Sequence, residues 1–156
     1  MSSKLKIERK DEPGITRIAM SGIIDEDADF DEAFGDLKPT VIINLEGIDL
    51  INSCGVREWV HAVQVFPKTG KVVYEKCAPR IVEQANYVAN FLGNGKMTSF
   101  FAPYYCAKCK KEANVLLEVE NLRSRPVKAP AAKCPTCKSA MEFDDIEEEY
   151  FSFLDN

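Results

Sequence analysis

One histidine and one tryptophan stand in 156 residues. With a single imidazole, His61, on the polar side of a helical stretch, no Ser/His or Cys/His nucleophilic couple is on offer. Long apolar runs are missing as well. None approaches the ~20 residues of a membrane helix, and the opening MSSKLKIERK lacks the apolar core of an export signal. These absences predict a soluble, non-exported, cytoplasmic protein with no membrane partner and give no support for an enzyme. At 46% hydrophobic and 29% charged residues, the chain is not disordered and can bury one ordinary core and a small satellite unit.

The formal charge is only −5, but it is unevenly spread. Residues 1–103 carry net −3, residues 104–141 net +5, and residues 142–156 net −7 with no basic side chain at all. Sequence texture changes at nearly the same places. The expected organisation is a first domain at 1–103, a cysteine-bearing unit at 104–143 and an acidic tail at 144–156.

In the first domain, KLKIE alternates apolar and polar, Pro13-Gly14 supplies a turn, and ITRIAMSG returns, which predicts a hairpin. Phe30, Ala33, Phe34 and Leu37 have helical spacing behind an acidic first turn, so a short helix is expected over 29–37. TVIINL is a continuous β-branched run, expected to be a strand buried on both faces. From Gly55 onward, Val56, Trp59, Val60 and Val63 share one helical face while Arg57, His61 and Gln64 share the other. KVVYEKC is a further strand, and Pro79 opens a helix carrying Ile81, Val82, Ala85, Val88, Ala89 and Leu92. TSFFAPYY is a last strand whose Pro103 places it at an edge or at its end. Strands alternating with helices predict an α/β layer, a mixed sheet with helices packed on it.

Four of six cysteines form two Cys-x-x-Cys pairs, Cys106/Cys109 and Cys134/Cys137. In a chain without an export signal this spacing points to metal rather than disulfides. Two thiolates from each of two tight knuckles complete a closed tetrahedral set, which holds one structural zinc ion and leaves no coordination position for catalysis. With strand-like NVLLEVE between the pairs and SAMEF after them, the segment resembles a zinc ribbon, a small β unit clamped by its ion. Arg123, Arg125 and Lys128 lie on its connecting loop, a basic footprint suited to phosphates, and are the candidate contacts for nucleic acid or transcription machinery. The tail, with Ile146, Tyr150, Phe151, Phe153 and Leu154 among its acids, is either a terminal helix or a docking segment, and it could itself occupy the basic surface.

The hairpin ending SGIIDEDAD, the apolar strand VIINLEGIDLI and the NSCGV that opens a helix together resemble the STAS domain, the fold of anti-sigma factor antagonists and of the cytoplasmic tails of sulfate transporters. Gly22 and Asp25 match the family's Gly-x-x-Asp, and Ile51, Asn52, Ser53, Cys54 and Gly55 match its apolar-Asp-Ser-Ser-Gly loop. The resemblance implies a non-enzymatic regulatory module that binds an anti-sigma factor or serine kinase through Asn52, Ser53, Cys54, Gly55 and Val56. In such antagonists the serine just before the loop glycine is phosphorylated, which adds charge and breaks the docked surface. Here that position is Cys54, and Asn52 stands where the family has aspartate. Ser53, one residue early, is the remaining candidate acceptor. Cys54 is read either as a small residue buried in a crowded turn or as a thiol activated by the helix N-terminus; Cys77 is read as core. A scaffold or homodimerising role for the first domain is the alternative. The acids at Asp25, Glu26, Asp27, Asp29 and Asp31 have no ordered ligand spacing and are read as a solvated helix start.

Overall fold

The computed structural model describes residues 4–66 and 70–155. The polar start of the chain at 1–3 and the last residue of the acidic tail lie outside them. The hairpin forms as expected, β1 (Leu5–Glu12) pairing antiparallel with β2 (Ile15–Ile24). Its turn has Pro13 followed by Gly14 at φ +76°, the type II combination. Then β3 (Thr40–Ile51) lies parallel to β2, α1 (Ser53–Val63) follows, β4 (Lys71–Glu75) adds in parallel, α2 (Pro79–Tyr87) follows, and β5 (Lys96–Met97) completes a sheet of order β1-β2-β3-β4-β5. This is a mixed α/β layer.

The central strand is not buried on both faces. Val41, Ile43 and Leu45 are fully enclosed, whereas Ile42 and Asn44 between them stay partly exposed. Only the first face is covered by the aromatic core around Trp59, whose ring lies 5.6 Å from Phe30, 6.1 Å from Tyr74 and 5.7 Å from Phe91.

The expected helix at 29–37 is absent; the segment is a chain of turns with one helix-like bond, from the Phe34 N–H to the Phe30 carbonyl. Phe30, Ala33 and Phe34 are buried as their spacing implied. What the pattern did not reveal is Arg9, whose guanidinium donates to the carbonyls of Ala33, Gly35 and Asp36. That side chain takes the place of the next helical turn, and Asp36 enters the left-handed region at φ +49°.

Helix α2 stops at Tyr87, five residues short of the apolar series that runs to Leu92. Val88 is extended and Asn90 has φ +62°. The unwound backbone supplies acceptors for two buried donors, with Trp59 Nε1 donating to the Phe91 carbonyl at 2.8 Å and the Tyr74 hydroxyl to the Leu92 carbonyl at 2.9 Å. Leaving those donors unpaired in the core would cost about 1–3 kcal/mol each, more than a short helical extension returns.

β6 (Ser99–Cys106) does not extend the first sheet. It bridges to it only at Cys77–Phe100 and forms a second sheet of order β7-β6-β9-β8 with β7 (Lys111–Glu118), β8 (Ala132–Lys133) and β9 (Ala140–Phe143). Pro103 is therefore inside a strand, paired with Asn114 on one side, while its carbonyl accepts the Asp144 N–H on the other. The tail forms α3 (Glu147–Tyr150) and a 3-10 turn at Ser152–Asp155, burying Tyr150, Phe151 and Phe153 against Phe100.

Candidate functional site

Asn52 caps α1. Its Oδ1 accepts the Gly55 N–H at 2.7 Å and its Nδ2 donates to Glu26 Oε2 at 3.2 Å. The second contact explains asparagine at this position, since an aspartate here would face the Glu26 carboxylate. The Glu26 carboxyl is held below its ordinary range by its own backbone N–H and then by the Asn52 amide. Gly55 is buried, and a Cβ there would lie 2.0 Å from the Ile24 carbonyl oxygen, so only glycine lets the first turn of α1 sit on the end of β2.

With Asn52 and Gly55 turned to structural work, Ser53 and Cys54 point outward. Both are exposed, and neither side chain makes a hydrogen bond among the described residues. The reading of Cys54 as a buried small residue is thus corrected, because the turn is crowded at Gly55 rather than one residue before it. Cys77 is fully buried, and burial pushes its thiol well above its ordinary value. Val56 is half-buried and Leu50, just upstream, is exposed. His61 is exposed on α1 with no cysteine or serine partner among the described residues.

The acids do not form a solvated helix start, because that helix is absent. Asp25 is buried, and its Oδ1 accepts the Asp27 N–H at 3.0 Å while its carbonyl accepts the Ala28 N–H. Asp25, Glu26 and Asp27 bring carboxylate oxygens within 4.8 Å of one another, and Asp29 turns away to accept the Asp31 N–H.

The four cysteines converge at the far end of the second sheet. All four sulfurs lie within 4.8 Å of one another, and two of the approaches cross between knuckles, Cys106 to Cys137 at 3.5 Å and Cys109 to Cys134 at 3.9 Å. A tetrahedral ion with bonds of about 2.3 Å sets its sulfurs about 3.8 Å apart, so the donor set fits. Each knuckle closes with a lysine in the left-handed region, Lys110 at φ +57° and Lys138 at φ +64°. Within the knuckles the Cys109 N–H donates to the Cys106 sulfur at 3.3 Å, and the Lys138 N–H to the Cys134 carbonyl. Hydrogen bonds from the Ser139 hydroxyl and N–H bring the Cys137 thiol down to about 6, while hydrogen bonding to Cys137 sends Cys109 up to about 12. None of the four is in a disulfide.

Arg123, Arg125 and Lys128 are all exposed on the connecting loop, and two of them lie beside carboxylates of the tail. Arg125 pairs with Asp155 at 3.0 Å and donates to the Leu122 and Ser124 carbonyls, and Lys128 pairs with Glu147 at 3.8 Å. Glu147 also accepts the Ala129 N–H at 2.6 Å, and Arg123 turns back to the Glu120 carbonyl. The tail is fixed from its other side by Asn86 of α2, which donates to the Tyr150 carbonyl and accepts from Ser152 Oγ and the Phe153 N–H. Asn86 was not singled out from sequence, and Glu26 was read only as one of a group of acids, not as the partner of Asn52. Each is a polar residue whose partner lies far along the chain, and only the tail's alternating acids and aromatics hinted at a docked segment.

No protein-family model matches the chain, and no curated protein matches it. Among solved structures, an anti-sigma factor antagonist from Mycobacterium paratuberculosis is similar at 19% identity and a TM-score of 0.39. The match covers 46% of this chain and 66% of that one, just under two thirds of its length. Among the described residues no helix is long and apolar enough to cross a membrane.

Proposed function

We propose that this chain is a non-enzymatic regulatory module of STAS type that binds a protein partner through Asn52, Ser53, Cys54, Gly55 and Val56, and that Cys106, Cys109, Cys134 and Cys137 hold one structural zinc ion in a ribbon-like unit. The observation that carries the first part is the division of labour at the start of α1. Asn52 and Gly55 fix the turn, which leaves Ser53 and Cys54 exposed on a preorganised surface with Leu50 beside it. By the resemblance of its motifs, the partner is an anti-sigma factor or serine kinase, and Ser53 is the phosphate acceptor. A phosphate there gains from the helix N-terminus but adds about −1.5 to −2 charge next to the Asn52–Glu26 contact, enough to dismiss a partner docked on that surface. For the second part, the cross-knuckle sulfur distances and the closed four-thiol set favour zinc over thiol redox chemistry. Arg125 and Lys128 are engaged by tail carboxylates, which counts against nucleic-acid binding through the 123–128 loop.

The test is direct binding of the purified chain to an anti-sigma factor or serine kinase from the same cells. Wild type and Ser53→Ala are expected to bind alike, and Ser53→Glu at least about tenfold more weakly. Equal binding by all three would remove Ser53 and its surface from the mechanism. Metal analysis should return one zinc per chain, lost in Cys134→Ser.

A further inference from the structure

Two of the three loop cations, Arg125 and Lys128, are paired with tail carboxylates, but the knuckle cations are not. Lys108 lies inside the first knuckle, Lys110 and Lys138 follow the last cysteine of each, Lys133 precedes Cys134, and Lys111 pairs across the strands with Cys106. Because the four sulfurs lie within 4.8 Å of one another, these five lysines are gathered around one end of the second sheet. All five are exposed, and none is in an ion pair among the described residues. The nearest acids are Glu112 and Glu142, which flank Tyr105 from the two neighbouring strands. Those two leave the side chains of this tip at a net +3. The other tail acids begin at Asp144, hydrogen-bonded to Pro103, about 10 Å down the strand from Cys106. That is about one screening length in ordinary salt, so they do little to cancel the lysines. A four-thiolate ion of formal charge −2 would lower this to +1, but with Cys106 and Cys134 buried and Cys109 and Cys137 half-buried, the five exposed lysines remain the outermost charges of the tip.

We propose that the lysines of the two cysteine knuckles, Lys108, Lys110, Lys111, Lys133 and Lys138, form a surface that binds the phosphate backbone of double-helical nucleic acid. Lysine is a point charge that tracks phosphates without reading bases. Tyr105 is half-buried and no other ring lies among these residues, so the stacking platform that single strands need is missing. The surface is independent of the one at Asn52–Val56, and it shifts any nucleic-acid contact from the 123–128 loop to the metal end of the sheet.

The experiment is fluorescence anisotropy of the metal-loaded full chain with a random-sequence DNA duplex of about 20 base pairs, read across salt. Three phosphate contacts give a slope near −2.7, so affinity should fall about 40-fold for a fourfold rise in salt. The triple variant Lys108→Gln/Lys110→Gln/Lys138→Gln should lose at least about tenfold at low salt and flatten the slope by about two to three. The corresponding arginine triple should retain binding, and Arg123→Gln/Arg125→Gln should stay within about twofold of wild type. Ser53→Glu should leave duplex binding unchanged, which separates this surface from the regulatory one. If the glutamine triple fails to hold metal, Lys108→Glu is read in its place. No binding at about 20 mM salt, or glutamine-variant binding equal to wild type, overturns the proposal. So does a polyglutamate peptide that competes as well as the duplex, since the partner would then be an acidic protein segment.

Discussion

Gly55 shows how one residue sets the candidate binding surface. Its missing Cβ is the space that the Ile24 carbonyl occupies, and the helix start would have to lift for any side chain to fit. Gly55→Ala should therefore destabilise the chain by about 1–3 kcal/mol, read as a lowered urea midpoint. Asn52→Ala removes the cap and should cost about 1 kcal/mol. Ser53→Ala, at an exposed position with no side-chain partner among the described residues, should leave the midpoint unchanged. The contrast was half legible in the sequence. NSCGV marked a strand-to-helix turn and a loop of interest, because cap residues and a glycine announce themselves locally. Which of Ser53, Cys54 and Gly55 faces the interior depends on where the end of β2 passes, so Cys54 was mistaken for a buried filler.

Among the elements, α2 and the tail depend on each other. Asn86 makes three hydrogen bonds to the tail, and Tyr150 reaches past it to donate to the Phe101 carbonyl at 2.6 Å. Asn86→Ala should cost about 1–3 kcal/mol by orphaning half-buried backbone groups. It should also speed amide exchange across 147–155 while leaving β1 to β3 protected. Helix α2 was recognisable from its periodicity and its proline start. Its end was not, because the apolar series continues past the point where Trp59 and Tyr74 claim the backbone carbonyls. The lost helix at 29–37 has the same origin, a distant side chain, Arg9, outbidding a local pattern.

At the scale of the whole molecule, the second sheet is held at one end by four thiols and at the other by the aromatic tail. Chelation, or Cys134→Ser, should release β8 and β9 and lower the melting temperature, because the four-thiol site exists only in the folded chain and metal binding there is folding free energy. A second expectation concerns alkali. Burial pushes the hydroxyls of Tyr74 and Tyr150 and the thiol of Cys77 well above their ordinary values. The folded chain keeps protons that the unfolded chain would release. The stability this gives is complete below the ordinary values and is lost as pH rises above them toward the folded ones. Urea midpoints should hold from about pH 7 to pH 8 and fall from about pH 9 upward, with the phenolate absorbance of both tyrosines appearing only on unfolding.

By itself the sequence determined the alternation of strands and helices, the hairpin with its Pro13-Gly14 turn, the core positions of Trp59 and Cys77, and the four metal-competent cysteines. All of these rest on neighbours within a few residues, through side-chain period, backbone allowance or ligand spacing. The tertiary structure alone decided that β6 leaves the first sheet to open a second, that the sheet is covered on one face, and that the tail holds Arg125 and Lys128 while the knuckle lysines stay clear. Those outcomes turn on contacts between residues many positions apart in the chain. Such contacts are chosen by which buried donor, carboxylate or ring finds a partner first, and no local pattern carries that information.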